Sequence, residues 1–188
     1  MVCTGNAARS PMAAAMLRAL DSRERLDVRS AGTLTLEGHP MGTRTRSALA
    51  RYGLTDHAHR SRQFRAADAS AADLVVVMEP LHLHWMRRNI PEAAPITGSL
   101  RRLARDLAPP QGGSVAHDLG QRVRDLAPAQ GGSAGDDLGQ RVRALGLDEL
   151  APEAWEEIAD PGAGDQEDFD RCSDELRLLV GELHRRLL

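Results

Sequence analysis

Apolar positions recur along the chain with two different periods, and the period decides which element each segment predicts. From Pro11 to Leu20, the residues Met12, Ala13, Met16, Leu17 and Leu20 share one face at helical spacing, with Pro11 in the first turn. The residues just ahead, Cys3 to Ser10, then form the loop that enters this helix. Leu26 and Val28 alternate with polar neighbours and predict a short strand ending at the turn Ser30-Ala31-Gly32-Thr33. A second helix is expected from Met41 to Tyr52, with Gly53 as its stop. Leu74 to Met78 is an unbroken apolar run rich in Val, the pattern of a strand buried on both faces. A helix follows over Pro80 to Arg88, then a short strand at Ile96 and a helix from Leu100 to Leu107. At the end of the chain, Phe169, Cys172, Leu176, Leu179, Leu183 and Leu187 draw one buried stripe along a terminal helix. Strands and helices alternating in this order predict an α/β fold, a small central parallel sheet flanked by helices on both faces.

A chain of 188 residues suffices for one hydrophobic core, so a single domain over 1–188 is expected. One stretch stands apart. Residues 105–123 are followed at once by 124–142, a tandem repeat of 19 residues with 15 identities. Two copies do not make a solenoid. Rich in Gly, Pro and Ala, the insert at 105–142 reads as a duplicated surface loop. The rival reading is a lid, because the insert lies shortly before Asp160 in sequence.

Composition narrows the function classes. Only 3% of residues are aromatic, so the core is built from Ala, Leu, Val and Met. No apolar run is long enough to span a bilayer, and no basic segment followed by an apolar stretch opens the chain, so a soluble, cytoplasmic protein with no membrane partner is expected. Two distant cysteines, Cys3 and Cys172, do not make a disulfide framework or a structural metal site, and no cofactor is called for. All 24 basic residues are Arg. Six of them lie between Arg44 and Arg65 against one acid, and twelve acids lie between Asp148 and Glu175 against one base. Both runs read as solvated faces, with attraction of an anionic substrate or partner as the alternative for the first. No basic block carries interleaved aromatics, which argues against nucleic acid.

The chemistry concentrates in Cys3-Thr4-Gly5-Asn6-Ala7-Ala8-Arg9-Ser10-Pro11. A thiol and a guanidinium stand at the two ends of a tight loop that opens onto a helix. Between them, the backbone N–H groups of Thr4, Gly5, Asn6, Ala7 and Ala8 can converge on one anion at a helix N-terminus. Arg9 offers a bidentate fork to two phosphate oxygens. The same field favours thiolate over thiol at Cys3, and Ser10 is placed to donate a hydrogen bond to the sulfur. Gly5 supplies conformational freedom, and Asn6 tolerates a left-handed backbone. Cys172, on the buried stripe, reads as core.

The full string resembles the signature of low-molecular-weight protein tyrosine phosphatases. The resemblance continues through Ser30-Ala31-Gly32-Thr33, His59 with Arg62-Gln63, Ala72-Asp73-Leu74 to Met78-Glu79, and Asp160-Pro161 ahead of a terminal helix. It implies a phosphatase acting on a phosphorylated protein or a small phosphomonoester. In that family the cysteine attacks phosphorus and an Asp-Pro aspartate, matched by Asp160, serves as general acid and then base. The neighbours Glu156, Glu157 and Asp165 are expected to raise the Asp160 pKa if they lie close. Ser30 and His59 match positions that hold the loop asparagine. Two departures stand out. The family has a hydrophobic strand before the cysteine, whereas only Met1 and Val2 precede Cys3, so the first strand is expected to be truncated. An aromatic residue often follows Asp-Pro, whereas Gly162 stands here, which leaves a phosphotyrosine ring less firmly held. Two alternatives stay open: an arsenate reductase of the same fold, and an inactive module that binds phosphate or a partner.

Overall fold

The computed structural model describes residues 1–110 and 134–188, with side chains of the second segment described from 138 onward. Its centre is a parallel four-stranded sheet of β1 (Val2–Cys3), β2 (Ala31–Gly32), β3 (Val75–Val77) and β4 (Thr97–Ser99), in the spatial order β2-β1-β3-β4. Between them run α1 (Arg9–Leu20), α2 (Thr43–Ala50), α3 (Ala66–Ser70) and α4 (Pro80–Asn89). After β4 come α5 (Leu100–Asp106), α6 (Ala134–Arg143) and the terminal α7 (Gln166–Leu187). Most of the central repeat, residues 111–133, lies outside the described residues, and with it the choice between surface loop and lid. Among the described residues, no helix is long and apolar enough to cross a membrane.

Strand alternation sorts the core into two layers. Val2, Val75 and Val77 face Phe64, Ala69, Leu83, Met86 and Ile90, under α3 and α4. Cys3, Val76 and Met78 face the other way, into the larger layer built by α1, α2, α5 and α7. The expected run from Leu74 to Met78 is thus a strand buried on both faces, as its unbroken apolar pattern requires.

The terminal helix keeps its predicted stripe with one shift: Val180 is fully buried where Leu179 is only partly so. Both positions fit three- and four-residue steps, but at 3.6 residues per turn Val180 falls nearer than Leu179 to the centre of the face that Phe169, Leu176, Leu183 and Leu187 define. Asp165 caps α7, accepting from the backbone N–H groups of Glu167 and Asp168 at 2.9 and 3.2 Å. In α1, burial runs all round from Arg9 to Leu17, while Leu20, expected on the buried face, is exposed. The strand expected at Ile96 starts one residue later, because Pro91–Ile96 winds as a 3-10 turn. The short α3 and the helix α6 inside the repeat have no counterpart in the sequence reading.

The strand expected at Leu26 and Val28 does not form. Parallel pairing joins Val2 to Ala31 and to Val77, and the strand beside β1 is Ala31–Gly32, within the stretch expected to turn. Instead a cavity of about 230 Å³ opens there, lined by Met1, Leu26, Val28, Ala72, Leu74 and the far end of α7. The cavity borders Met1 and Val2, on the side of β1 away from Cys3. Five apolar residues added ahead of Met1 are therefore expected to pair as strand and bury two or three side chains, at roughly 1.5–3 kcal/mol each. The melting temperature should rise by several degrees, and activity should rise with it, since the same strand carries Cys3. Equal melting temperature and activity in the two chains would exclude this.

Candidate active site

In a parallel sheet of this order, the crevice beyond the carboxyl ends of the strands opens where neighbouring connections diverge. Here that point lies between β1 and β3. The loop from Cys3 to Arg9 occupies it and runs directly into α1.

Asn6 sets the shape of the loop. It is fully buried and adopts a left-handed backbone at φ 52°, a conformation that a polar side chain with local hydrogen bonds can stabilise. Its Oδ1 accepts from the Arg62 backbone N–H at 3.0 Å, its Nδ2 donates to Ser10 Oγ at 3.0 Å, and its carbonyl lies 2.9 Å from His59 Nε2. Thr45 on α2 donates to the Ala7 carbonyl at 3.0 Å. These bonds tie the carbonyls of Asn6 and Ala7 to the protein around the loop.

Ser10 Oγ stands 3.0 Å from Cys3 Sγ and 3.2 Å from the Ala31 carbonyl. Because Asn6 fills one of its acceptor sites, the Ser10 hydroxyl has one proton to offer to either neighbour. Thus the predicted Cys3, Asn6, Ser10 and His59 come together. Ser30 does not join them: it lies just before β2, on the wall of the cavity beside Met1, and the hydrogen bonds of Asn6 go to Ser10, Arg62 and His59.

The glycine that the loop demands is also not the predicted one. A Cβ on Gly5 would meet no protein atom within 4 Å, and the left-handed residue is Asn6. A Cβ on Gly32 would collide with the Thr4 carbonyl and Thr35 Oγ1 and lie 2.9 Å from Asn6 N. Gly32 therefore lets β2 approach the loop backbone; the stretch expected to be a turn, Ser30-Ala31-Gly32-Thr33, is where strand β2 lies, and its only signal in the sequence is a glycine.

Arg9 is almost wholly buried, and its guanidinium gathers the site. Nη2 donates to Asp160 Oδ2 at 2.5 Å, and Nη1 donates to the Ile158 carbonyl at 3.0 Å. Glu79 closes the other side, with Oε1 3.3 Å from Nη2 and Oε2 3.3 Å from Nη1. The side chain of Asp160 is half exposed, and its Oδ1 accepts from Gly162 N at 2.9 Å. Sequence reasoning missed Glu79 and His82 as parts of this site. Met78 N donates to His82 Nδ1 at 3.4 Å, which leaves Nε2 to carry the proton toward Glu79 Oε1 at 2.9 Å. Thr4 Oγ1 joins the same cluster, 3.0 Å from His82 Nε2. The hydrogen bond from His82, with Arg9 beside it, holds the Glu79 carboxyl down at about 2 although burial works the other way. The only sign of this pair in the sequence was Met78-Glu79 at the end of a strand with a histidine one helical turn on.

The acids expected to surround Asp160 are engaged elsewhere. Glu156 is buried against Arg102 and Ser99, Asp165 caps α7, and Glu157 is exposed. Burial pushes the Cys172 thiol up to about 12, so it stays protonated on its core stripe. Several of the arginines between 44 and 65 are paired with carboxylates, Arg51 with Asp174, Arg62 with Asp68 and Arg65 with Glu37. Among the described residues, no group of three or more metal-ligating side chains is assembled.

Two outcomes follow from this geometry. Gly32→Ala should cost far more activity and stability than Gly5→Ala; equal effects on melting temperature and turnover would contradict the close approach of β2. Burial lowers the His59 pKa below 6.5 despite its hydrogen bond to Asn6. The unfolded chain then binds a proton that the folded one refuses, so stability should fall as pH drops below about 6.5. His59→Gln should flatten the melting temperature between pH 7.5 and 5.5, and an unchanged slope would rule out His59 as the source.

Comparison with known proteins bears on this site directly. The family model described as low molecular weight phosphotyrosine protein phosphatase matches residues 1–107. A probable low molecular weight protein-tyrosine-phosphatase, EpsP, from Ralstonia nicotianae is 35% identical over 114 residues, spanning 58% of this chain and 75% of the relative. A protein-arginine-phosphatase from Geobacillus stearothermophilus is 34% identical over 118 residues, 61% of this chain and 78% of the relative. The solved structure of the YwlE arginine phosphatase from Geobacillus stearothermophilus superimposes with a TM-score of 0.69 at 26% identity, covering 99% of this chain and 89% of that one. A matched segment that carries the whole Cys3 to Ser10 loop, on a sheet of the same kind, places the chain in the low molecular weight protein-tyrosine-phosphatase family.

Proposed function

We propose that the chain hydrolyses phosphomonoesters of proteins, phosphotyrosine first among them, through a phosphocysteine intermediate. One observation carries the reading: Asp160, 151 residues from Arg9 in sequence, shares the guanidinium that closes the phosphate loop. Acid, cation and thiol thereby stand around one anion site.

The chemistry then runs in two balanced steps. With phosphate on the loop amides and Arg9, the Cys3 thiolate attacks phosphorus and the bond to the leaving oxygen breaks. Asp160 gives that oxygen its proton. Water next attacks the phosphocysteine, Asp160 takes a proton from it, and the P–S bond breaks to release inorganic phosphate. Ser10 Oγ, 3.0 Å from Sγ, stabilises the sulfur both as attacking and as departing thiolate.

Cys172 offers no relay thiol, being buried and protonated, which weighs against a reductase that passes a disulfide along the chain. A second reading concerns the substrate side chain. All five aromatic residues are engaged away from the loop. Phe64, Trp85 and Phe169 lie in the core layers, Tyr52 bonds to Ser173, and Trp155 stacks on Arg102 and Arg105. A phosphotyrosine ring finds no aromatic partner among them, which favours phosphoarginine as an additional substrate, the activity named for the Geobacillus relative.

Turnover of p-nitrophenyl phosphate is expected for the wild type, abolished in Cys3→Ser and reduced about 10²- to 10³-fold in Asp160→Asn. Turnover that survives Cys3→Ser refutes the mechanism. Release of phosphate from phosphoarginine and phosphotyrosine peptides, compared by kcat/KM, decides the substrate class.

A further inference from the structure

The mechanism leaves one buried ionised cluster unused. Glu156 is wholly buried and lies four residues ahead of Asp160. Its Oε2 accepts from Ser99 Oγ at 2.5 Å, and its Oε1 accepts from Arg102 Nη2 at 2.6 Å and from Glu153 N at 2.9 Å. Ser99 is the last residue of β4, and its Oγ also accepts from Arg102 N at 3.1 Å. Arg102 is itself buried, with the Trp155 ring 5.2 Å from its guanidinium carbon. Every oxygen and the cation are therefore matched.

A buried ion pair of this kind contributes little net stability over an apolar pair of the same volume, because desolvation offsets the attraction. What it does supply is geometry. From Glu156 the chain has little freedom before it reaches the acid: Ile158 N donates to the Met78 carbonyl at 2.8 Å, and the Ile158 carbonyl accepts from Arg9. The segment is thus tied at the ends of β4 and β3, the same edge of the sheet that carries the phosphate loop. Glu157, Ala159 and Asp160 are exposed, so Glu156 and Ile158 are its inward anchors.

We propose that Glu156, Ser99 and Arg102 are positioning residues for the general acid: their cluster fixes the segment that presents the Asp160 carboxyl at Arg9. None of the three touches substrate. This rests on the reading of Asp160 as the acid, and the test separates the two.

A general acid matters for a poor leaving group and hardly at all for a good one. The kcat/KM of wild type, Asp160→Asn, Ser99→Ala and Glu156→Gln is measured with phenyl, p-nitrophenyl and dinitrophenyl phosphate, beside inhibition by vanadate. Ser99→Ala and Glu156→Gln should lose ~10-fold on phenyl phosphate and less than about twofold on dinitrophenyl phosphate, with vanadate inhibition unchanged. Asp160→Asn should show the same selectivity more strongly. The double variant Glu156→Met/Arg102→Met, which replaces the pair by apolar volume, should keep its melting temperature and still show the selective loss. If Asp160→Asn shows no dependence on the leaving group, the assignment of the acid fails. If Asp160→Asn is selective while the cluster variants follow the wild-type profile, or lose activity equally on all three esters, the positioning role is overturned.

Discussion

A single buried guanidinium organises this protein. Arg9 is held at the first turn of α1, where the loop from Cys3 ends, and is bonded to residues from two distant parts of the chain: Glu79 after β3, and Ile158 with Asp160 in the segment beyond the repeat. A cation taken out of water is tolerated only where carboxylates and carbonyls surround it. Glu79, kept ionised by His82, supplies a permanent counter-charge from inside. Asp160, half exposed, supplies the second from the solvent side. The inner carboxylate is largely shielded from water, while the outer one lies open to solvent on one side.

The loop itself is rigid for a different reason. It is bonded to the protein around it, with Asn6 as the junction between Ser10, His59 and the backbone of Arg62. β2 lies against this junction because Gly32 has no side chain. Preorganised amide groups cost nothing to orient when charge develops, which is where most of the advantage of such a cradle resides. The sheet contributes polarity: all four strands are parallel, so Cys3, Glu79 and the end of β4 meet at one edge.

The opposite end of the sheet is built differently. β1 has two residues, and a cavity lies beside Met1. The catalytic edge keeps its order because its side chains are stapled to one another, by Glu79 to Arg9 and by Glu156 to Arg102, and not through strand pairing alone.

Much of this was legible in the sequence. The Val-rich run at 75–77, the stripe of α7, and the string from Cys3 to Ser10 each carry local information: a period, a burial pattern, or residue types whose chemistry works only together. Strands and helices follow from such patterns because their periods are short. Other features depended on which segments meet. Leu26 and Val28 alternate with polar neighbours as a strand does, yet the residues that pair with β1 are Ala31 and Gly32, a choice made between segments and not within one. Gly5 and Gly32 are equivalent in sequence, and only the packing of β2 on the loop shows which one lacks room for a Cβ. Glu156 looked like a neighbour of Asp160 and is instead turned inward to Arg102, since four residues of irregular chain do not fix a direction. The sequence alone determined the fold class and the chemistry of the loop, because both are written within a few residues. Tertiary structure alone decided which carboxylates face Arg9, because a buried charge finds its partners across the sheet and not along the chain.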